Sequence, residues 1–250
     1  MAVPNFLEKV LTARVYDVAI ESPLDSMPGI SRRLNNRVLL KREDLQAVFS
    51  FKLRGAFNKI FQSVKKNPEL KGIITASAGN HAQGVALAAR KLKMHAVVVM
   101  PVTTPTIKVN AVKNYGAKVI LSGDNFDEAY KFSLQLAEQE KLSFIHPYDD
   151  IDVMAGQGTI AHEIIRQYPD GIEAIFVPVG GGGLLAGIAG FLKAVKPSIK
   201  VIGVEPEDAA CLAAAMQARR RVKLKEVGIF ADGVAVSQIG QNTFKMIRDR

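Results

Sequence analysis

Short apolar runs rich in Val and Ile alternate along this chain with longer stretches of helical character. The runs predict strands at 37–41, 72–76, 95–100, 117–121, 142–145, 174–179 and 200–205. The stretches between them predict helices at 51–64, 80–92, 106–115, 125–140, 156–167 and 183–194, and QNTFKMIRDR at the C-terminus has a helical pattern. Short uninterrupted apolar strands are typical of parallel sheets buried on both faces. The alternation therefore predicts an α/β fold with right-handed crossovers.

Two residues mark predicted helix ends. Ser50 precedes the helix at 51–64 and is a predicted N-cap, because its hydroxyl can accept a hydrogen bond from the first turn. Gly116 follows the helix at 106–115 and is a predicted C-cap, because glycine tolerates the left-handed conformation. Ligands of such folds gather where strands end, so the loops after strands are the places to look for chemistry.

Composition narrows the class of protein. The 250 residues are 48% hydrophobic and 23% charged, which excludes disorder as the main state and suits one large or two smaller domains. The lone Cys211 excludes a disulfide scaffold and fits a reducing compartment. The longest uncharged run tested, 174–192, is interrupted by Pro178 and several glycines, and the N-terminus lacks a signal-peptide core. We therefore predict a cytoplasmic protein that does not enter a membrane.

The net charge of +9 raises the question of nucleic-acid binding. Most charges are scattered, and no aromatic residue interleaves the one dense cluster in a way that would suit stacking on bases. That cluster comprises Arg219, Arg220, Arg221, Lys223 and Lys225. It predicts a solvated face or a patch that faces a partner, and no nucleic-acid partner is predicted.

A run of four glycines, Gly180, Gly181, Gly182 and Gly183, followed by Leu184, joins a predicted strand to a predicted helix. Bare backbone N–H groups at a helix N-terminus can cradle a phosphate. The run matches neither a dinucleotide nor a nucleoside-triphosphate loop, which favours a smaller phosphate compound. A flexible glycine turn is the alternative.

The segment Ser77-Ala78-Gly79-Asn80-His81 makes a second strand-to-helix connection. Small residues at a helix start suit an anion such as a carboxylate, although Ser77 or Asn80 could merely cap the helix.

Lys52 stands beside Phe51 at a predicted helix start, where partial desolvation would lower its pKa and prepare it for Schiff-base chemistry. An ordinary surface cation is the alternative. The four histidines lack zinc-site spacing, so no metal site is predicted.

These motifs occur in the same order in one family. The chain resembles the threonine dehydratases (threonine deaminases) of the biosynthetic type, which are pyridoxal-phosphate enzymes of the tryptophan-synthase-β fold. The matching strings, which extend from residue 15 to 239, are SFKLRGA, TASAGNHAQGVA, VMP, KVNAVKNYGA, AGQGT, FVPVGGGGLLAGIA, VIGVEPEDAACL and FADGVAV. The resemblance implies a two-lobed fold type II, with a large cofactor-binding domain at 1–65 and 146–250 and a small domain at 66–145.

The resemblance also implies a cofactor, pyridoxal 5′-phosphate, and a role for each motif. Lys52 would bond covalently to the cofactor and act as the catalytic base, Phe51 would pack beside the pyridine ring, and Asn80 would bind the ring 3′-oxygen. The phosphate would be held by the backbone amides of Gly180, Gly181, Gly182, Gly183 and Leu184. The substrate carboxylate would be bound by Ser77, Ala78, Gly79, Asn80 and His81, with Gln157 lining the same cleft.

The implied reaction is the β-elimination of L-threonine to 2-oxobutyrate and ammonia, in isoleucine biosynthesis, by a homo-oligomer. L-Serine dehydratase and serine racemase are alternatives within the same fold. Racemases carry a serine where Ala78 stands, as the acid/base on the opposite face of the cofactor, so Ala78 favours elimination. They also tend to carry a metal-binding acid at the position of Cys211. Glu205 remains here, but the divalent site is incomplete.

Family members continue well beyond an FADGVAV segment, so we expect the chain to be truncated at its C-terminus, within the large domain. The expected missing part includes a residue that binds the pyridine nitrogen, as well as a regulatory domain. A catalytically incompetent cofactor-binding fragment is therefore a further alternative.

Overall fold

The computed structural model describes residues 6–228 and 230–248. The helices are α1 (Phe6–Leu11), α2 (Pro28–Leu34), α3 (Lys52–Lys66), α4 (Asn80–Lys91), α5 (Thr106–Lys113), α6 (Phe126–Glu140), α7 (Ile151–Gln167), α8 (Gly183–Val195), α9 (Cys211–Ala218) and α10 (Gln241–Arg248). The strands are β1 (Leu24–Ser26), β2 (Leu39–Lys41), β3 (Ile73–Ala76), β4 (Ala96–Met100), β5 (Lys118–Leu121), β6 (Ser143–Phe144), β7 (Ala174–Pro178) and β8 (Lys200–Val204). Short 3₁₀ helices lie at Glu43–Leu45, Glu207–Ala209 and Asp232–Val234.

A four-stranded parallel sheet with the order β5-β4-β3-β6 forms one half of the fold. Side chains on β4 alternate between its two faces, as the strand geometry requires. Val98 and Met100 join a core with α4 and α5, whereas Val97 and Val99 join a core with α6. Both faces are therefore covered by helices, which explains why β3 and β4 are apolar at nearly every position.

A second parallel pair, β7 and β8, lies beside α7 and α8 over a separate core. Parts of this pair are open to solvent, since Phe176 is 67% exposed and Val204 is 47% exposed. β1 and β2 form the antiparallel pair. Within the described part of the chain, no helix combines the length and apolarity that crossing a membrane would need.

The predicted α/β class with parallel sheets flanked by helices is confirmed, and each predicted strand and helix has its counterpart. The division into domains at 66–145 stays a prediction, although β3 to β6 all lie inside that range. The predicted helix at 156–167 begins earlier, at Ile151, because the Asp150 carboxylate caps it by accepting hydrogen bonds from the backbone of Asp152 and Val153. Sequence reasoning missed α1, β1, α2 and α9.

The two predicted caps differ from the structure. Ser50 is not an N-cap, since α3 begins at Lys52 after Phe51, whose backbone is already helical. The buried Ser50 hydroxyl has no hydrogen-bond partner among the described residues. Helix α5 ends at Lys113, before Gly116. Gly116 adopts φ +89° and donates its N–H to the Lys113 carbonyl, so it terminates a turn that follows the helix.

Candidate active site

Lys52 is the first residue of α3, and its amine is held within the protein. The Nζ atom donates a hydrogen bond to the Pro147 carbonyl at 3.3 Å and lies 5.5 Å from the centre of the Phe51 ring. Burial lowers the pKa of Lys52 to about 8. A substantial fraction of the amine is therefore neutral near physiological pH, which a nucleophile or general base requires.

Close helix contacts fix the position of α3. A Cβ on Gly55 would meet the Val153 carbonyl oxygen at 2.8 Å, and one on Gly84 would meet the Leu53 nitrogen at 3.0 Å, so α7 and α4 both approach α3 at glycines. The buried Gln157 side chain accepts a hydrogen bond from the Gly55 N–H at 3.2 Å. The structure thus places Gln157 in the contact between α3 and α7, and its predicted part in substrate binding stays a prediction.

A buried charge network anchors the start of α3, and sequence reasoning missed it. The fully buried Arg54 guanidinium donates to Glu43 at 2.7 Å and to Glu163 at 3.0 Å. Lys41 lies 2.7 Å from Glu163, and the Tyr16 hydroxyl donates to the same carboxylate at 2.9 Å. A buried arginine needs such partners. The arginine two residues after Lys52 in SFKLRG was therefore the sequence signal from which this network could have been suspected.

The glycine run forms the connection from β7 to α8, as the strand-to-helix pattern predicted. Gly182 has φ +90°, a conformation that only glycine adopts without strain. The N–H groups of Gly181 and Gly182 have no protein acceptor among the described residues. Those of Gly183 and Leu184 lie in the first turn of α8, where no intrahelical acceptor exists. The loop thus presents several unpaired donors at a helix N-terminus, which suits a phosphate.

Side chains from elsewhere in the chain brace the glycine run. The Tyr148 ring occupies the space where a Cβ on Gly181 would lie. The Thr243 hydroxyl donates to the Gly181 carbonyl at 2.8 Å. Asp149 in turn caps α10, since its carboxylate accepts from the backbone N–H of Gln241 at 2.9 Å and of Asn242 at 2.7 Å.

The segment from Ser77 to His81 leads from β3 into α4. The Asn80 side chain is exposed at the first position of α4 and makes no hydrogen bond with any described residue. The His81 ring is buried instead, with Nε2 3.1 Å from the Ile145 carbonyl oxygen. Burial, and then the nearby Lys52 charge, lower the pKa of His81 to about 3. The imidazole is therefore neutral and is engaged with Ile145. The group that His81 can offer to an anion at the start of α4 is its backbone N–H.

The loop at 145–150, between β6 and α7, brings these parts together. The Ile145 carbonyl contacts His81 at the start of α4, and the Pro147 carbonyl holds Lys52. Tyr148 packs on the glycine run, and Asp149 caps the helix that carries Thr243. Lys52, the Ser77–His81 segment and the glycine run thus all meet one six-residue loop, which sequence reasoning had treated only as the end of a strand.

The basic cluster is mostly exposed, whereas the buried Cys211 thiol contacts the glycine run, with Sγ 3.6 Å from the Gly180 carbonyl oxygen. Arg219, Arg220, Lys223 and Lys225 are exposed, and Arg221 donates to the Ile239 carbonyl at 2.8 Å. Burial raises the pKa of the Cys211 thiol to about 12. Glu205 caps α9 by accepting from the Leu212 N–H at 2.8 Å. The part of the chain that the structure describes contains no group of acids, histidines and cysteine that could hold a metal ion.

Gly181→Ala tests how tightly the glycine run is packed. The new Cβ would fall on the Tyr148 ring, so we expect a loss of about 1–3 kcal/mol in the free energy of unfolding. Urea denaturation measures this loss. Gly29→Ala is the matched control, because a Cβ there meets nothing within 4 Å. Equal stability of the two variants would contradict the described packing.

Comparison with known proteins assigns the class. Residues 15–250 match the family described as pyridoxal-phosphate dependent enzymes, and the chain belongs to that family. It is 53% identical to the biosynthetic L-threonine dehydratase of Burkholderia multivorans, over 100% of this chain and 50% of that protein. It is 54% identical to the threonine dehydratase of Nicotiana attenuata, over 98% of this chain and 40% of that protein. The chain thus spans about half the length of these curated relatives, or less.

Solved structures give the same relationship. The processed form of threonine deaminase isoform 2 from Solanum lycopersicum superposes with a TM-score of 0.94 and 51% identity, over 98% of this chain and 71% of that one. Maize serine racemase superposes with a TM-score of 0.92 and 33% identity, over 97% and 74%. The fold is therefore tryptophan-synthase-β-like, as predicted, and the threonine enzymes are more similar in sequence than this racemase.

Proposed function

We propose that this chain binds pyridoxal 5′-phosphate and catalyses the elimination of water from L-threonine, which yields 2-oxobutyrate and ammonia. The observation that carries the proposal is the Lys52 amine, with a pKa of about 8, held by the same loop that packs on the glycine run. A lysine amine and a phosphate cradle that both contact the 145–150 loop suit the aldehyde and the phosphate of this cofactor. The names of the relatives supply the substrate.

The described residues fit the cofactor. The unpaired N–H groups of Gly181 and Gly182, together with those of Gly183 and Leu184, suit its phosphate. Gly180 lies at the start of this turn, where a Cβ would come within 3.1 Å of the Val234 Cα atom, so a larger residue would crowd the turn. Phe51 offers an apolar ring beside Lys52, and the unpaired Asn80 amide offers a donor to the ring oxygen.

When bound, the cofactor supplies an electron sink for the substrate α-carbon. The protein supplies the proton transfer: Lys52 Nζ takes the α-proton as general base, which its lowered pKa of about 8 allows near neutral pH. The first turn of α4, with Ser77, Ala78 and Gly79 before it, presents backbone donors and a positive dipole end to the substrate carboxylate.

Ala78 favours elimination over racemisation. Racemases of this fold are expected to carry a hydroxyl at this position, on the face of the cofactor opposite the lysine, and a methyl group can neither give nor take a proton. We therefore expect L-serine to be converted to a 2-oxo acid without accumulation of D-serine. Chiral chromatography of the residual amino acid checks this, and an accumulating D-serine peak would favour the racemase assignment.

The decisive experiment measures 2-oxo acid formation from L-threonine and L-serine after loading with pyridoxal phosphate, together with the visible absorbance of the lysine-bound cofactor. Faster turnover of L-threonine supports the proposal. Absorbance without turnover would support a cofactor-binding fragment, which the coverage of about half of the relatives makes the second candidate. If neither turnover nor this absorbance is observed, the enzyme assignment is wrong.

The bond between Lys52 and the cofactor is expected to form faster as pH rises from 6 to 9. Burial lowers the pKa of Lys52 to about 8, and only the neutral amine attacks the aldehyde. The rate should therefore rise about tenfold per pH unit below the pKa and level off above it. Stopped-flow absorbance measures this profile, and a rate that still rises steeply above pH 9.5 would contradict a lowered pKa.

The names of the relatives support a biosynthetic setting. Those of Burkholderia multivorans and Pasteurella multocida are named biosynthetic, and the one of Arabidopsis thaliana is named chloroplastic as well. We assign this chain to isoleucine biosynthesis in the cytoplasm, as a homo-oligomer. Light scattering of the purified chain tests the last point.

A further inference from the structure

We propose that His146 is a positioning residue, whose ring fixes the Pro147 carbonyl that holds the Lys52 amine. This inference rests on the proposed function, because it concerns how the reactive amine of that site is placed. It extends the site beyond the motifs, since none of them includes the 145–150 loop.

The hydrogen bonds of His146 determine the shape of the loop. Its Nδ1 atom accepts from the backbone N–H of Asp149 at 2.9 Å and of Tyr148 at 3.3 Å. An acceptor at Nδ1 has no proton there, so the neutral ring carries its proton on Nε2. These two bonds close a tight turn around Pro147, and the Pro147 carbonyl oxygen lies 3.3 Å from Lys52 Nζ.

The surroundings keep His146 neutral and oriented. Burial lowers its pKa, as does the Lys52 charge, whereas Asp149 and Asp150 act in the opposite direction. The Tyr148 ring stands nearly perpendicular to it at 4.7 Å, and Tyr130 and Phe144 flank it at 6.3 and 6.2 Å. A neutral ring between aromatic neighbours retains the Nδ1 lone pair that the loop needs.

A carbonyl is the right acceptor for a reactive lysine. A carboxylate beside Lys52 would stabilise the ammonium form and raise its pKa. A carbonyl oxygen accepts from either protonation state, so it holds the amine in place and adds no charge. Lys52 forms no ion pair with a carboxylate of the described residues, and its Nζ atom is hydrogen-bonded to the Pro147 carbonyl. If the loop is loosened, water should reach the amine and its pKa should rise.

The test measures the accessibility and pKa of Lys52 in the 250-residue chain. The protein is incubated with pyridoxal phosphate across pH 6–10 and treated with borohydride. The Lys52 amine condenses with the aldehyde and releases water, and hydride from borohydride reduces the C=N bond to a stable secondary amine. Peptide mass spectrometry then gives the labelled fraction of Lys52 at each pH.

Two variants separate the hydrogen bonds from the volume of the ring. His146→Leu fills space but has no acceptor, whereas His146→Asn is smaller and keeps an acceptor within reach of the same N–H groups. We expect wild type and His146→Asn to label with a midpoint near pH 8. For His146→Leu we expect a midpoint about one unit higher, and hence about tenfold less label at pH 7.

A His146→Leu midpoint equal to that of wild type would overturn the inference, whether or not the His146→Asn variant is impaired. If the Leu variant does not fold, His146→Gln replaces it: its acceptor stands one methylene further out, so a Gln midpoint equal to the Asn midpoint overturns the inference equally. Wild-type protein that is not labelled at Lys52 would instead overturn the proposed function.

Discussion

Lys52→Ala is expected to reduce the formation of 2-oxobutyrate from L-threonine by at least about 10³-fold, because the variant loses the general base. It also loses the amine that is proposed to bond to the cofactor, so the visible absorbance of the lysine-bound cofactor should vanish. The Lys52 amine is held by the Pro147 carbonyl and has its pKa lowered to about 8. Alanine has no amine that could take this position. Steady-state assays and absorbance spectra measure both losses.

The control for this result lies on the same helix. Lys65 is exposed in the last turn of α3, so Lys65→Ala should retain wild-type turnover. Added methylamine could restore part of the activity of Lys52→Ala, since a small amine can enter the space of the missing side chain. Turnover of Lys52→Ala above a tenth of the wild-type rate would remove Lys52 from its proposed role.

Glu163→Gln is expected to reduce the free energy of unfolding by about 3–5 kcal/mol, because removing one partner of a buried ion pair leaves the other charges uncompensated. Arg54 and Lys41 both lie at hydrogen-bond distance from the Glu163 carboxylate, and neither Arg54 nor Glu163 is exposed. The substitution keeps the shape of the side chain and removes its charge. Chemical denaturation with far-UV circular dichroism measures the change.

The same carboxylate links stability to pH. Burial by itself raises the pKa of Glu163, but the hydrogen bonds and charges of Arg54 and Lys41 outweigh it, so the pKa lies below its ordinary 4.5. A depressed folded-state pKa contributes stability above pH 4.5 that is lost as the pH falls through the folded value. Wild type should therefore lose stability in acid more steeply than Glu163→Gln.

An exposed acid provides the comparison for this effect. Glu140, at the end of α6, is exposed and has no ion pair among the described contacts, so Glu140→Gln should change the free energy of unfolding by less than about 0.5 kcal/mol. Equal stability of Glu163→Gln and Glu140→Gln would show that the charge network contributes nothing net. Arg54 also lies two residues from Lys52, so the network anchors the start of the helix that carries this amine.

The local elements of the fold could be predicted because their physical causes are local. The run AVVVM is apolar throughout since β4 is covered on both faces, and Asn80 begins a helix where it was expected to begin. The prediction that Ser50 is an N-cap was wrong, although its residue type is favourable. Phe51, which follows it, already has helical backbone angles, and the Ser50 hydroxyl is buried without bonding to the first turn of α3. Residue type establishes a preference, and packing decides whether that preference is realised.

The sequence by itself determined the class of fold, and it predicted the glycine run between a strand and a helix and the position of Lys52 at a helix start, because each depends on residues that are adjacent in the chain. Only the tertiary structure decided what surrounds them. Pro147 lies 95 residues from the Lys52 that it holds, and Glu163 lies 109 residues from Arg54. Contacts at such separations leave no periodic or spaced pattern in a single sequence. The burial that lowers the pKa of Lys52 arises in the same way, when distant segments together exclude water.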